Sequence, residues 1–449
     1  MRYELTKEFL EEIREAIALS NTAYIDQRVI VLHAADIAEI IDELELEEAK
    51  FIYSYLDEDQ QADVLLELEE DVRERFVESL TAKEIANQLE NLDSDDAADI
   101  LGELSLDRQL EIIGEMDEED AASIVDLLNY DEDSAGGLMQ KEFIKAREDW
   151  PVNRCVIELR RQAEEVEKVY TIYVVDSQDH LVGVLSLKSL LFSSPKTRIR
   201  DLCQEENIIS VTTSMAGEEV ARIMDKYDLV SIPVVDLQKK LVGRITIDDI
   251  VDVIREEAEK DFQMASGISE SVEAGASIWR LSRARLPWLF IGMFGGVLGA
   301  QVIGNFELQI GQIPALAFFI PLVAAMGGNV GVQSSAVVVQ SLANGSNQFS
   351  SILARVKKEA LLGLLNAFIC SVVIFVITWL LETPLLGLTV SLALFTVIII
   401  AAILGTLIPL VLDKYGVDPA LATGPFITTM NDVVGLFIYF SMGMLIFGI

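Results

Sequence analysis

DPALATGPFITTMND (418–432) leads into the uncharged run 433–449, and its reading decides the architecture of this chain. Asp432 falls inside an apolar stretch, where a carboxylate is costly unless it is paired, hydrated or protonated, so it reads as a pore or ion site. Pro419 suits the first turn of a helix. Pro425 is expected to break that helix, leaving Thr428, Thr429, Asn431 and Asp432 beyond the break. A second polar passage, AAMGGNVGVQSSAVVVQS (324–341), lies upstream. Its Gly327, Gly328 and Gly331 let backbones approach or open, while Asn329, Gln333, Ser334 and Ser335 put polar groups at membrane depth. A broken, ion-lining helix is one reading of it, and a packing seam of small residues is the other.

Outward from these passages, residues 286–306, 308–354, 360–381, 383–412 and 433–449 carry no charge. Such runs match the roughly 20 residues needed to cross the hydrocarbon region. Helices are expected near 286–306, 313–343, 360–381, 387–412 and 420–447. Five crossings with a cytosolic N-terminus put Arg280, Arg283, Arg285, Arg355, Lys357, Lys358 and Lys414 on the inside, and Glu307 and Glu382 outside. A sixth crossing would spoil that bias, so the expectation is a multi-pass cell-membrane protein whose C-terminus faces outward.

Residues 1–275 are of another kind, with 27 Lys/Arg against 67 Asp/Glu, whereas 276–449 hold seven bases and six acids. Excess carboxylate on this scale argues against nucleic acid or an anionic lipid face as the ligand of this part and for bound cations. Only His33 and His180 are present, and Cys155, Cys203 and Cys370 lack metal-ligand spacing, so any bound ion meets oxygen. The first twenty residues are charged and amphipathic, without the apolar core of a signal peptide. No nucleophile–base pair, phosphate-binding loop or metal–histidine site appears, so an enzyme is not expected.

From 32 to 128 an apolar residue recurs every twelve positions: Leu32, Leu44, Leu56, Leu68, Leu80, Leu92, Leu104, Met116, Leu128. Units such as LDSDDAADILGEL (92–104) and MDEEDAASIVDLL (116–128) read as short helices with polar starts, Ser94 or Asp93 serving as cap. Helices this short are marginal alone, so successive pairs should stack as 24-residue hairpins in a solenoid; a compact bundle is the alternative.

DEDSAGGLM (131–139) ends this pattern. IYVVDSQDHLVGVLSLKSLL (172–191) and IPVVDLQKKLVGRITIDDIV (232–251) then repeat with an offset of 60. Each predicts strand, turn at Asp176 or Asp236, second strand, and a helix opened by Ser186 or Thr246, with helical stretches upstream at 154–168 and 217–227. Over roughly 138–255 this resembles a tandem pair of cystathionine-beta-synthase-type domains. The resemblance implies that Thr246 and Asp249 could recognise the ribose of an adenosyl nucleotide such as ATP. The first copy has Ser189 where that Asp would stand, so a nucleotide is expected at the second copy; domains of this kind also serve as dimerising regulatory modules.

Taken together, the chain resembles the MgtE family of magnesium transporters and channels over essentially its whole length. The implied fold is a multidomain membrane protein: an all-α acidic helical-repeat domain (1–130), two α/β cystathionine-beta-synthase-type domains (131–200 and 201–252), a linking helix (253–280) and a five-helix transmembrane domain (281–449). The resemblance implies a homodimer with the ion path on its two-fold axis and hydrated Mg²⁺ at Asp432. It implies sensing of cytosolic Mg²⁺ through Asp249, Asp252, Glu257, Asp261 and Asp418, with Asp93 and Asp228 in the soluble domains. Two departures from the family pattern are Lys260 within the acidic linking helix and Gly424 before Pro425.

Ion chemistry agrees with this reading, because Mg²⁺ prefers oxygen and sheds water reluctantly, so paired carboxylates can hold it through its waters. Co²⁺ accepts the same octahedral oxygen shell, which leaves a cobalt or broader divalent transporter as the alternative. A membrane-bound sensor of magnesium or nucleotide that does not conduct is the rival from another class; it would need only one or two plain spans.

Overall fold

The computed structural model describes residues 5–163, 166, 168–204, 208–269, 272, 277–343, 351–422 and 424–448. It divides into two compact units, Met1–Arg255 and Glu256–Ile449.

The first unit begins with α1 (Lys7–Ala18) and α2 (Thr22–Arg28). The repeat follows as α3 (Ala34–Asp42), α4 (Leu46–Tyr53), α5 (Glu58–Glu67), α6 (Glu70–Ser79), α7 (Ala82–Leu89), α8 (Ser94–Gly102), α9 (Leu106–Ile113) and α10 (Glu118–Leu127). Each of these eight helices starts twelve residues after the one before. The periodic apolar residue stands just before the cap, as Leu56 and Leu68 do, and is buried or packed against the core. The next residue takes the cap position, and in some units its side chain bonds the first turn: Asp57 accepts from the Gln60 amide, and Thr81 forms a capping box with Glu84. Helices pack against the helix two along (α3 on α5, α5 on α7, α7 on α9, α8 on α10), which is the stacking of 24-residue pairs that the period implies.

Two three-stranded sheets follow. In one, β1 (Lys145–Arg147) runs parallel to β2 (Ile172–Val175), which pairs antiparallel with β3 (Leu181–Leu185); α11 (Val152–Gln162) lies between β1 and β2, and α12 (Leu187–Leu191) follows β3. In the other, β4 (Val211–Thr212), β5 (Ser231–Val235) and β6 (Leu241–Thr246) repeat the order, with α13 (Gly217–Tyr227) between β4 and β5. The copies agree in fine detail. Both hairpins carry a register shift, at Val174/Val175 and at Val234/Val235. In both, the turn aspartate accepts two backbone N–H groups, Asp176 from Gln178 and His180, Asp236 from Gln238 and Lys240.

Sequence order and spatial order part company at 131–140. The segment precedes the first sheet, yet Ala135 and Gly136 donate to the carbonyls of Met215 and Thr213, Gly217 donates to Asp133, and Gln140 exchanges backbone bonds with Arg244. One apolar core accordingly runs from Ile13 through Ile100 and Met139 to Ile232 and Ile250, so the helical repeat is fused to the second sheet. The first sheet keeps a core of its own around Ile144, Cys155, Ile172 and Leu185.

From β6 the chain turns directly into α14 (Ile247–Ala265). The helix expected over 253–280 thus begins earlier and ends at Ala265, because Gly267 takes a left-handed conformation (φ 84°) and Ile268 N–H bonds back to the Gln263 carbonyl. Residues 270, 271 and 273–276 of that expectation lie outside the described residues.

Among the described residues of the second unit, five helices are long and apolar enough to cross a membrane. They are α15 (Ile278–Asn305), α17 (Ile320–Ala343, preceded by a 3₁₀ turn from Pro314), α18 (Ile352–Leu381), α19 (Pro384–Lys414) and α20 (Gly424–Phe447); a short α16 (Glu307–Gln312) links the first two. Half of the most apolar window of α19 is buried, against 17–33 % for the others, so α19 is the central helix, with α17, α18 and α20 packed around it.

Both expectations of broken helices are corrected. Residues 324–341 lie inside the continuous α17, and their glycines serve close packing: a Cβ on Gly327 would come 3.1 Å from Val397 of α19, and one on Gly328 3.0 Å from Thr428 of α20. Pro425 is the second residue of α20, where a missing N–H costs nothing, while Pro419 opens a separate 3₁₀ turn.

Candidate metal and ion sites

One group of mutually interacting acids comes from the starts of α8 and α14. Asp93 occupies the cap position of α8 but makes no side-chain bond to its own helix; its carboxylate accepts from Gln140 Nε2 at 3.1 Å instead. Gln140 in turn accepts from Arg244 Nε at 3.0 Å, and Ser94 Oγ donates to Glu142 at 2.8 Å. On the other side, Asp249 Oδ2 accepts the Thr246 amide at 3.1 Å and its hydroxyl at 2.8 Å, while Asp248 also meets that hydroxyl.

Asp95 and Asp96 complete the group. Asp95 is only 4 % exposed and its Oδ1 has no hydrogen-bond partner. Burial, then the charges of Asp249, Asp96 and Asp93, push its carboxyl well above the ordinary range. Asp96 is raised to about 8, first by burial and then by Asp249 and Asp93. Asp249 is raised to about 6 by burial, against the opposing Thr246 hydrogen bonds, with Asp248 and Asp93 adding to the rise. Buried carboxylates that raise one another in this way favour a bound proton, and a hard cation would relieve the same repulsion. Of the residues read from sequence, Asp93 and Asp249 meet here. Asp95, Asp96 and Asp248 were missed, since acids in the first turns of two helices, α8 and α14, look like ordinary dipole partners until the fold brings those turns together.

Asp228 caps α13 in a left-handed conformation (φ 52°) and is exposed. Asp252 is exposed on α14, and Glu257, farther along it, is bonded to Lys260 Nζ at 2.8 Å. Asp261 is half-buried near the end of the same helix. Asp418 Oδ1 accepts the Ala420 amide at 2.8 Å and so fixes the turn that precedes α20.

That turn meets the end of α14. Gly424 has φ 50°, and a Cβ there would lie 2.7 Å from the Ala265 carbonyl; one on Gly267 would lie 2.9 Å from Pro425 Cγ. Glycine at both positions lets the last turn of α14 sit directly on the first turn of α20. One turn further, the Thr428 hydroxyl donates to the Gly424 carbonyl at 3.0 Å.

Asp432 lies on α20, half-buried and facing α17, its Oδ1 3.7 Å from where a Cβ on Gly328 would be. Among the described residues its carboxylate has no hydrogen-bond or ion-pair partner. The neighbouring Asn431 is buried against Gly331, with its Nδ2 unpartnered.

Sequence comparison covers each of these parts. A model of the MgtE intracellular N domain matches residues 32–133, cystathionine-beta-synthase domain models match 135–195 and 199–256, and the MgtE divalent cation transporter model matches 320–442. The magnesium transporter MgtE of Enterococcus faecalis is 38 % identical over 417 residues, 92 % of this chain and 91 % of that one. That of Thermus thermophilus is 36 % identical over 72 % of each chain. Among solved structures, the cytosolic domain of the Mg²⁺ channel MgtE in complex with ATP is similar with a TM-score of 0.51 and 33 % identity, covering 54 % of this chain and 99 % of that one. The soluble part of a magnesium transporter gives a TM-score of 0.50 at 30 % identity, covering 56 % and 99 %. With every module matched in order and a relative aligned over nine-tenths of both lengths, the chain belongs to the MgtE family.

Proposed function

We propose that this chain forms a homodimeric, magnesium-selective pathway through the cell membrane, with its first unit cytoplasmic, its C-terminus outside, and its conduction closed by cytosolic Mg²⁺. The observation that carries the reading is Asp432: a carboxylate on a membrane helix, unpartnered among the described residues, beside a glycine that leaves it room. Two such carboxylates across a two-fold axis attract a divalent ion while leaving its water in place, which suits Mg²⁺. The magnesium transporters aligned above support the same cargo.

Sensing rests on the acids of the first unit and of α14. Without a cation, Asp93, Asp95, Asp96, Asp248 and Asp249 repel one another; Mg²⁺ binding there, and at Asp228, Asp252, Glu257, Asp261 and Asp418, favours one arrangement of the cytoplasmic parts over others. The end of α14 against Gly424 is the route by which that arrangement reaches α20. ATP is the proposed nucleotide at the second sheet, where Thr246 and Asp249 would meet its ribose, and the ATP-bound relative supports it. Asp249 then belongs to both ligands, so ATP and cation would influence each other there.

Reconstitution into liposomes tests the reading. Mg²⁺ flux that falls as Mg²⁺ is raised on the face of the first unit, from a particle with the detergent-corrected mass of two chains, is the expected result. Absence of flux would leave a sensor, and flux of Co²⁺ equal to that of Mg²⁺ would replace selectivity with broad divalent transport.

A further inference from the structure

A concave hollow of about 690 Å³ opens on the outer face of the transmembrane unit, along α18 and against α19. Leu361, Leu362, Leu365 and Phe368 of α18 and Phe395 of α19 line it, and the charged side chain at its rim is Lys358. Lys358, Leu361, Leu362, Leu365 and Phe368 follow a spacing of three and four, so they form one stripe of the helix. At 1.5 Å per residue the stripe runs about 15 Å from the ammonium to Phe368, half of a hydrocarbon core of about 30 Å. Its depth is therefore that of a single leaflet. α18 and α19 approach closely along this stretch, since a Cβ on Gly363 would come 2.9 Å from that of Ala402.

We propose that this hollow binds one anionic phospholipid, with an acyl chain lying along Leu361–Phe368 and the phosphate at Lys358. Any lipid-facing groove accepts hydrocarbon; what selects here is charge at the mouth. Lys357 and Glu359 flank Lys358 in sequence, and Arg355 lies one turn earlier on the same side of α18, so bases outnumber acids three to one at this end of the helix. Basic side chains at the end of an intramembrane hollow are the chemistry that retains acidic headgroups. The inference rests only on these helices spanning a bilayer and is independent of which ion the protein carries.

Native mass spectrometry of the full chain, purified in detergent and offered equal phosphatidylglycerol and phosphatidylcholine, tests the site. The wild type is expected to retain phosphatidylglycerol preferentially, by about fivefold for each effective basic contact. Lys358→Gln should bring the preference toward parity, while Lys414→Gln, the same charge change at the end of α19, should leave it intact. Leu365→Trp, which fills the hollow, should release both lipids with the thermal midpoint unchanged. Equal losses in Lys358→Gln and Lys414→Gln would reduce the effect to diffuse membrane charge and overturn the site, as would lipid retention by Leu365→Trp. Efficient disulfide-linked dimerisation of Leu365→Cys, in a chain whose three native cysteines are serine, would give the hollow to a second copy instead.

Discussion

The side-chain amide of Asn431 occupies the space that a side chain on Gly331 would need, so α20 and α17 approach at a point fixed by these two residues. Asp432 is the next residue, and its place relative to α17 follows from that contact. Gly331→Ala is expected to overpack the seam and cost about 1–3 kcal/mol. Asn431→Ala in the same chain should return part of the loss. Thermal unfolding in detergent of the two single variants and the double variant checks this; additive losses would separate the two residues.

Removal of the Asp432 carboxylate, as Asp432→Ala or Asp432→Asn, should abolish Mg²⁺ flux while leaving the detergent-solubilised mass and thermal midpoint unaltered. The carboxylate supplies attraction that offsets the ion's partial loss of hydration, and no partner among the described residues would be orphaned by its removal. Wild-type flux from either variant would contradict the pore assignment.

The acids at α8 and α14 predict a pH dependence of stability. Asp249 and Asp96 are raised to about 6 and about 8, above the ordinary carboxylate value. In the cation-free protein the folded state therefore holds more protons than the unfolded one, and stability falls as pH rises through that window. Hydrogen-exchange protection over 93–102 and 246–250, corrected for the intrinsic base-catalysed rise in exchange, should fall as pH rises from about 4 to about 8 without Mg²⁺, as those groups ionise. Added Mg²⁺ should flatten the dependence by taking the place of the protons, and Asp93→Asn with Asp249→Asn should reduce it.

Neutralising Asp249, Asp252 and Glu257 together should leave conduction intact and remove most inhibition by cytosolic Mg²⁺. Flux recorded while only the cytosolic concentration varies distinguishes this from damage to the pore, and identical inhibition in variant and wild type would dismiss the sensing role.

Lys260 predicts the opposite direction. Its bond to Glu257 supplies a tethered positive charge where a sensed ion would otherwise act. Lys260→Ala should lower the inhibitory Mg²⁺ concentration by about two- to fivefold, the modest scale expected of a partly exposed ion pair.

Much of this was legible in the residues. Leu32 to Met116 mark the repeat because the residue before each helix's cap position is apolar, and Leu128 closes the last helix. The tandem sheets were visible because Asp176 and Asp236 do the same turn chemistry 60 residues apart. Gly327, Gly328 and Gly331 were harder: glycine weakens a helix and also permits close approach, and only the neighbours Val397 and Thr428 show which property is used. Pro425 was misread for a related reason, since the effect of a proline depends on where its helix begins. Asp95 gave no signal of its own; the start of its helix is met by Gln140 and Glu142 and its charge is felt by Asp249, all distant in sequence.

The early pairing of 133–140 with the second sheet also bears on synthesis. The core that starts at Ile13 closes only with Ile250, so the ribosome must release nearly the whole first unit before its helical stack is sealed. The first sheet, with a core of its own, is a module that can fold in the interval, inside a loop of the other. The apolar helix from Ile278 follows so soon afterwards that sealing of the cytoplasmic unit and delivery to the membrane compete for the same short stretch of elongation.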